Sequence, residues 1–454
     1  MKKNCILLSV LLSSVFAFSQ TNPAITSWIH NTTGIMGRHY VSGNSTPIND
    51  NDSANVQTIL YSVNWVYIRT KGIPSYISGP FLDGNPSVAT NQNAIFKFPL
   101  NPVLNVGTST NTTGGNIGVF INGVALFDYR DGVSWKNSTS SLAGGPIPGG
   151  PGDGVWNRDA VVGERLGFDC SKAHPAMGNY HHHQNPSAFN LDLNVISTVC
   201  NLYTSDGLYV IDSALHSPLL GFAYDGFPIY GAYGYLNVNG TGGIVRMKSS
   251  YNLRNITTRT QYANGSTVTA GPLVSVTYPL GYFREDYEYI ATSAATPDYL
   301  DEHNGRFCIT PEYPNGIYCY FATVNSNWNS AYPYVVGPTF YGVKTAVKIT
   351  SITEPVTIYI PTSTAVSTIE TEQLNVRVFP VPAADLVAIQ CNDLNRENLD
   401  IELYDITGRF IQKTILYQGS TIAFFDTRTL YSGEYIIKIF KGTETLSKKI
   451  LIMK

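Results

Sequence analysis

Charge is scarce in this chain of 454 residues: 13% are Asp, Glu, Lys or Arg, against roughly a quarter in an ordinary soluble protein. The formal net charge is −3 and the basic residues are scattered. That excludes a basic stripe of the kind nucleic acid or an anionic membrane surface would require. Histidine is scarcer still, with eight in the chain. Long apolar runs are missing apart from Ile6 to Phe18 in "MKKNCILLSVLLSSVFAFSQ". That run follows Lys2 and Lys3 and ends in small residues. It reads as a secretory signal peptide over residues 1–19, cut after Ser19 and too short to be a membrane anchor. No transmembrane segment and no nucleotide cofactor are expected.

Cysteine is also sparse, and the leader removes Cys5. Cys170, Cys200, Cys308, Cys319 and Cys391 remain. In an oxidising compartment the local pairings Cys170–Cys200 and Cys308–Cys319 are expected, although four cysteines permit three connectivities. Cys391 then stands alone as a buried small hydrophobe.

Tyr (30) and Gly (40) are abundant instead, and the pattern is one of short strands. "VQTILYSVNWVYIRT", "AIFKFPL", "LVSVTYPL", "VKTAVKIT" and "EYIIKIF" are alternating or apolar runs between turn residues. In "IGVFINGVALF", Asn122–Gly123 predicts a type I′ hairpin. "SSLAGGPIPGGPGDG", residues 140–154, reads as an irregular loop. The fold class is mainly β: a large sandwich or barrel-like domain over residues 20–350, a Thr/Ser-rich linker over 351–371, and a small β-sandwich over 372–454.

"GNYHHHQNP" places three of the eight histidines in a row. If the segment is extended, His181 and His183 share a face and could share one ion, while His182 and Tyr180 point the other way. His174 could return to the same site if "AHPAMGNY" turns, and His216 could join from a distance. Imidazole ligation suits Zn²⁺ or Cu²⁺. The plainer alternative is that these rings hydrogen-bond backbone and tyrosine hydroxyls in a polar core. "GFAYDGFPIYGAYGY" offers Tyr224, Asp225 and Tyr230, with Tyr180, as a wall for a small molecule or a platform for a glycan. The same glycines and aromatics would equally serve close strand packing.

Two resemblances follow from longer blocks. "WNRDA", "FDCSKAHPAMGNYHHH", "HSPLLGFAYDGFPIYGAYGY" and "LDEHNGRFCITPEYPNGIYCYF", with "GVFINGVALFDY" upstream, resemble the YHYH domain family across most of residues 50–345. The tetrad here reads Tyr180-His181-His182-His183, with His182 where the family has its second tyrosine. The resemblance implies a secreted domain and supplies no mechanism. "VRVFPVPAADLVAIQ", "IELYDITGRFI", "FDTRTLYSGEYIIKI" and "LSKKILIMK" resemble the C-terminal sorting domain of the Bacteroidetes type IX secretion system, departing from it at Val381, where Asn is usual. That implies export through the type IX machinery, then release or attachment at the cell surface.

Overall fold

A computed structural model describes residues 21–454 except 45, 84–86, 146, 148, 188–206, 294, 362–375, 392–397, 419, 421 and 442–443. The signal-peptide reading therefore lies outside the described residues. The chain divides into two compact units, residues 1–361 and 362–454.

The larger unit is built on two sheets. One has eight strands in the order Ala173–Ala176, Asn179–His182, Ala125–Phe127, Asn116–Phe120, Leu219–Ala223, Pro228–Tyr230, Ile317–Phe321 and Gly305–Cys308. The other has five: Val347–Ile349, Ala94–Pro99, Trp65–Thr70, Val56–Tyr61 and Thr357–Ile358. Inward residues of both, including Ile59, Val66, Ile68, Phe96, Ile117, Val119 and Leu220, merge into one buried core. Trp28, Phe98 and Phe222 bridge the sheets with ring centroids 5.4–6.3 Å apart, close enough for tilted aromatic packing. The eight-stranded sheet ends in two strands that do not pair with each other, so the unit is an open layered structure and not a barrel.

Local chemistry explains where sequence expectations fail. The Asn122–Gly123 hairpin forms, but Gly123 alone has positive φ (+81°) and its amide donates to Phe120 O at 2.8 Å. That geometry is a type I turn closed by a left-handed glycine, not type I′. A Cβ on Gly123 would also lie 2.2 Å from Thr70 Oγ1. Part of the expected 140–154 loop becomes strand, since Ser141–Gly144 pairs with Val133–Lys136. "LVSVTYPL" forms no strand. Its carbonyls turn instead toward the buried Arg259 guanidinium, which donates to Pro272, Tyr278 and Pro279 as well as to Asp286. A buried arginine needs all of those acceptors. The expected linker begins inside the larger unit: Thr357 and Ile358 pair with Tyr61 and Leu60, and residues 362–371 lie outside the described set.

The expected Cys308–Cys319 disulfide is not formed; both thiols are buried and free. Cys308 opposes Ile317 across the ladder while Cys319 opposes Arg306. The pair is therefore diagonal, and the two thiols lie within hydrogen-bonding range of each other without being joined. Cys170 is buried, and its expected partner Cys200 lies outside the described residues.

The smaller unit is a two-sheet sandwich. Val376–Phe379, Leu386–Cys391 and Ile422–Asp426 form one sheet; Phe410–Leu416, Leu399–Asp405, Gly433–Lys441 and Glu444–Ile452 form the other. Strict alternation puts Leu399, Ile401 and Leu403 inward against Val387, Ile389, Phe425, Ile437 and Ile450.

Candidate metal centre

The site begins with a two-residue turn. Met177 (φ +49°) and Gly178 (φ +81°) join Ala173–Ala176 to Asn179–His182, and two successive positive φ values define a type I′ hairpin. The resulting register sets His174 directly opposite His181. His183 follows two residues later on the same face. One hairpin thus supplies three imidazoles. The loop before it is pinned by buried Asp169, which accepts from Ser171 N at 3.0 Å, Gly79 N at 2.9 Å and Tyr180 Oη at 2.6 Å.

A fourth group arrives from a short helix, Ala160–Gly163, whose first turn is capped by the Asp159 carboxylate accepting from Val161 N at 2.8 Å. Glu164 closes that helix and turns its carboxylate onto the histidines. Its Oε2 lies 3.2 Å from His174 Nε2 and 3.2 Å from His183 Nε2. His181 Nε2 and His183 Nε2 are 3.1 Å apart, and the three imidazoles present one nitrogen each within 4.8 Å of one another. Around an ion held at about 2.0–2.1 Å in a tetrahedron, donors would sit roughly 3.3–3.4 Å apart. The separations of 3.1 and 3.2 Å fall just short of that value.

Proton positions sharpen the geometry. His181 Nδ1 faces Asn179 O at 2.8 Å and His183 Nδ1 faces Asp128 O at 2.7 Å. A carbonyl only accepts, so each Nδ1 carries a proton; each Nε2 then faces its neighbours as a donor when the ring is protonated and with a lone pair when it is neutral. At 3.1 Å the two Nε2 atoms share a cation, either a proton carried by one of them or a metal ion. Glu164 Oε2 and His174 Nε2, although in contact, are not aligned as hydrogen-bond partners.

The surroundings reinforce the demand for positive charge. Burial disfavours an ionised Glu164, but the His174 and His183 rings more than offset it and hold the carboxyl well below its ordinary range. Burial, then the neighbouring His183 and His174, push His181 far below the usual imidazole value. For His183 burial works downward and the Glu164 carboxylate prevails, raising it. The ring of Phe127 stacks on His181 at 3.9 Å, and Phe168 meets His174 edge-on at 4.9 Å. These apolar walls exclude water and strengthen the electrostatics inside. Gly167 belongs to the same wall: a Cβ there would lie 2.5 Å from Asp83 Oδ2 and 3.2 Å from His174 Nδ1.

Other expected site residues lie elsewhere. His182 points to the opposite face, meeting Tyr76 Oη at 2.9 Å between Phe120 and Tyr180; burial, then the Lys172 charge, bring it to about 3. His216 does not join the cluster. It packs against Tyr230 and Tyr235, with Nδ1 2.8 Å from Ser217 O. Tyr180, Tyr224, Asp225 and Tyr230 are all buried, so they form no exposed platform. Asp225 is a turn anchor that accepts from Tyr320 Oη at 2.5 Å and Gly342 N at 2.8 Å. Tyr230 Oη donates to Glu312 Oε2 at 2.7 Å. The residue that sequence reasoning missed is Glu164, ten positions before His174 and in no recognisable ligand spacing.

The model of the YHYH protein family matches residues 95–333, more than half of the chain, and spans Glu164 and all three clustered histidines. The chain belongs to the YHYH family. A second family model, the secretion system C-terminal sorting domain, matches residues 377–453. This YHYH protein is therefore exported by the type IX system and is surface-attached or released. Among its described residues no helix is long and apolar enough to cross a membrane. No curated protein matches it. Among solved structures, a DUF3244-family protein with an immunoglobulin-like β-sandwich from Bacteroides vulgatus aligns at 13% identity over 18% of this chain and 86% of its own, with a TM-score of 0.16. A likeness that slight carries no weight.

Proposed function

We propose that the YHYH domain of this exported protein binds one divalent transition-metal ion, zinc or copper, through His174, His181, His183 and Glu164. The observation that carries the reading is the convergence of three imidazole nitrogens and the Glu164 carboxylate on one buried point, with His181 Nε2 and His183 Nε2 3.1 Å apart and each Nδ1 turned to a backbone carbonyl. Three imidazoles and a carboxylate suit Zn²⁺ or Cu²⁺, and no thiol belongs to the set. Four protein donors complete a tetrahedron, so the arrangement favours holding the ion over activating water. Glu164 is the least buried of the four side chains, at 19% against 3% for His183. Chemistry at the ion would begin with its displacement, which opens a coordination position.

The test is metal titration of the mature, untagged protein after chelator treatment, followed by calorimetry and elemental analysis. One zinc or copper ion per chain is expected. His181→Ala and His183→Ala should abolish stoichiometric binding, whereas His182→Ala should retain it. Identical behaviour of all three variants would overturn the assignment.

A further inference from the structure

Tyrosine rings line a part of the larger unit that takes no part in the histidine site. The short strands Tyr251–Leu253 and Tyr287–Tyr289 pair antiparallel, with Tyr251 opposite Tyr289 and Leu253 opposite Tyr287. Tyr289 meets Tyr251 at 5.6 Å, Tyr251 meets Tyr332 at 5.4 Å, and Tyr332 stacks on Tyr287 at 3.9 Å. This aromatic string runs between two hollows of about 650 and 570 Å³, with Tyr289 in the first, Tyr251, Tyr287 and Tyr332 in the second, and Tyr299 common to both. Hollows of that size fit small ligands. Two that share a wall suit a chain of linked units.

The polar lining decides the ligand's charge. Lys248 Nζ is 2.6 Å from Asp298 and lies over the Tyr299 ring. Arg246 donates to Val324 O at 2.6 Å, and Arg306 donates to Leu236 O at 2.9 Å and Pro297 O at 2.6 Å. Asp301 accepts from Tyr318 Oη at 2.9 Å and from His303 N at 2.9 Å. Lys248 is thus paired with a carboxylate, and the guanidinium and Asp301 groups already have hydrogen-bond partners within the protein. Tyrosine rings, amide or hydroxyl side chains such as Asn252 and Ser326, and aliphatic groups such as Val238 and Leu253 make up the rest of the lining.

From this we infer that the groove binds a neutral oligosaccharide, stacking sugar rings on Tyr289 and Tyr299 with hydroxyls bonded to the amide and hydroxyl lining. An anionic polymer would have to compete with the Lys248–Asp298 pair and with the guanidinium–carbonyl hydrogen bonds already made. The site is separate from the histidine cluster and does not depend on metal.

Isothermal titration of the full mature protein with cellohexaose, xylohexaose, mannohexaose and laminarihexaose tests this. At least one should bind, with Kd raised tenfold or more by Tyr289→Ala and by Tyr299→Ala at unchanged Tm, and with no change in His181→Ala or after EDTA. If a variant loses stability, the conservative Tyr299→Phe should keep most of the affinity, because the ring face is retained. The inference is overturned if none of the four binds, if both alanine variants bind as the wild type does, or if binding is confined to an anionic probe such as polygalacturonate.

Discussion

Glu164 shows what a sequence conceals at the scale of one residue. His181 and His183 were legible because strand alternation alone puts them on one face, and His182 on the other follows from the same rule. Glu164 reaches the cluster only because the Asp159-capped helix ends there, a tertiary consequence with no local signature. Replacing it tests its place among the donors: Glu164→Gln should weaken zinc binding at least tenfold by calorimetry while leaving Tm of the chelator-treated protein within a few degrees. Metal must displace the proton that His183 holds above its ordinary value. Affinity should therefore rise with pH until His183 is deprotonated and fall on acidification, and a pH-independent Kd between 5 and 8 would exclude His183 as a donor. Asp159 gives a second pH signature. Burial raises it to about 7 against the hydrogen bonds from Tyr334 and the helix amides, whereas the unfolded chain has it near 3.9. The folded state binds that proton more tightly, so stability from this group is greatest at low pH and is lost as pH rises through about 4 to 7. Asp159→Asn removes the dependence; its Tm deficit against wild type should be smaller at pH 8 than at pH 5.

Among the elements, the hairpin at Met177–Gly178 does most to make the site. It was legible only as a possibility, since Met at a positive φ is not a usual turn signal and the register depends on it. Gly178→Ala should lower Tm and weaken metal binding together, because φ is +81° and a Cβ would lie 1.9 Å from Thr90 Oγ1; strain at such a position costs on the order of 1–3 kcal/mol. Preserved affinity in that variant would show that the hairpin does not set the donor geometry. Strands with clear alternation, such as Leu399–Asp405, could be read directly. "LVSVTYPL" could not, because the buried arginine that claims its carbonyls lies outside any window of local pattern. The spacing of the two cysteines on the Gly305–Cys308 and Ile317–Phe321 hairpin suggests a bond; the fold brings the thiols together across a diagonal of the ladder but leaves them free. Alkylation of the unfolded, unreduced protein should label both Cys308 and Cys319. Recovery of a disulfide-linked peptide containing both would contradict their being free thiols.

For the molecule as a whole, the two units and their β character were legible from composition, turn spacing and the sorting-domain blocks. The exact junction was not, because Thr357 and Ile358 add to the five-stranded sheet by backbone pairing, which side-chain pattern does not announce. Limited proteolysis should release an N-terminal fragment that keeps residues through Pro361, and cleavage between 351 and 357 would contradict that pairing. Removal of residues after 371 should leave the larger unit folded but retained in the periplasm. Metal binding by the larger unit is the claim on which the functional account stands. X-ray absorption at the metal edge of the zinc-loaded, full-length mature protein addresses it most directly. The account predicts a first shell of three imidazole nitrogens and one carboxylate oxygen at about 2.0–2.2 Å, reduced by one imidazole in His183→Ala. A shell containing sulfur, or one of water alone that is indifferent to His181→Ala and His183→Ala, would contradict it.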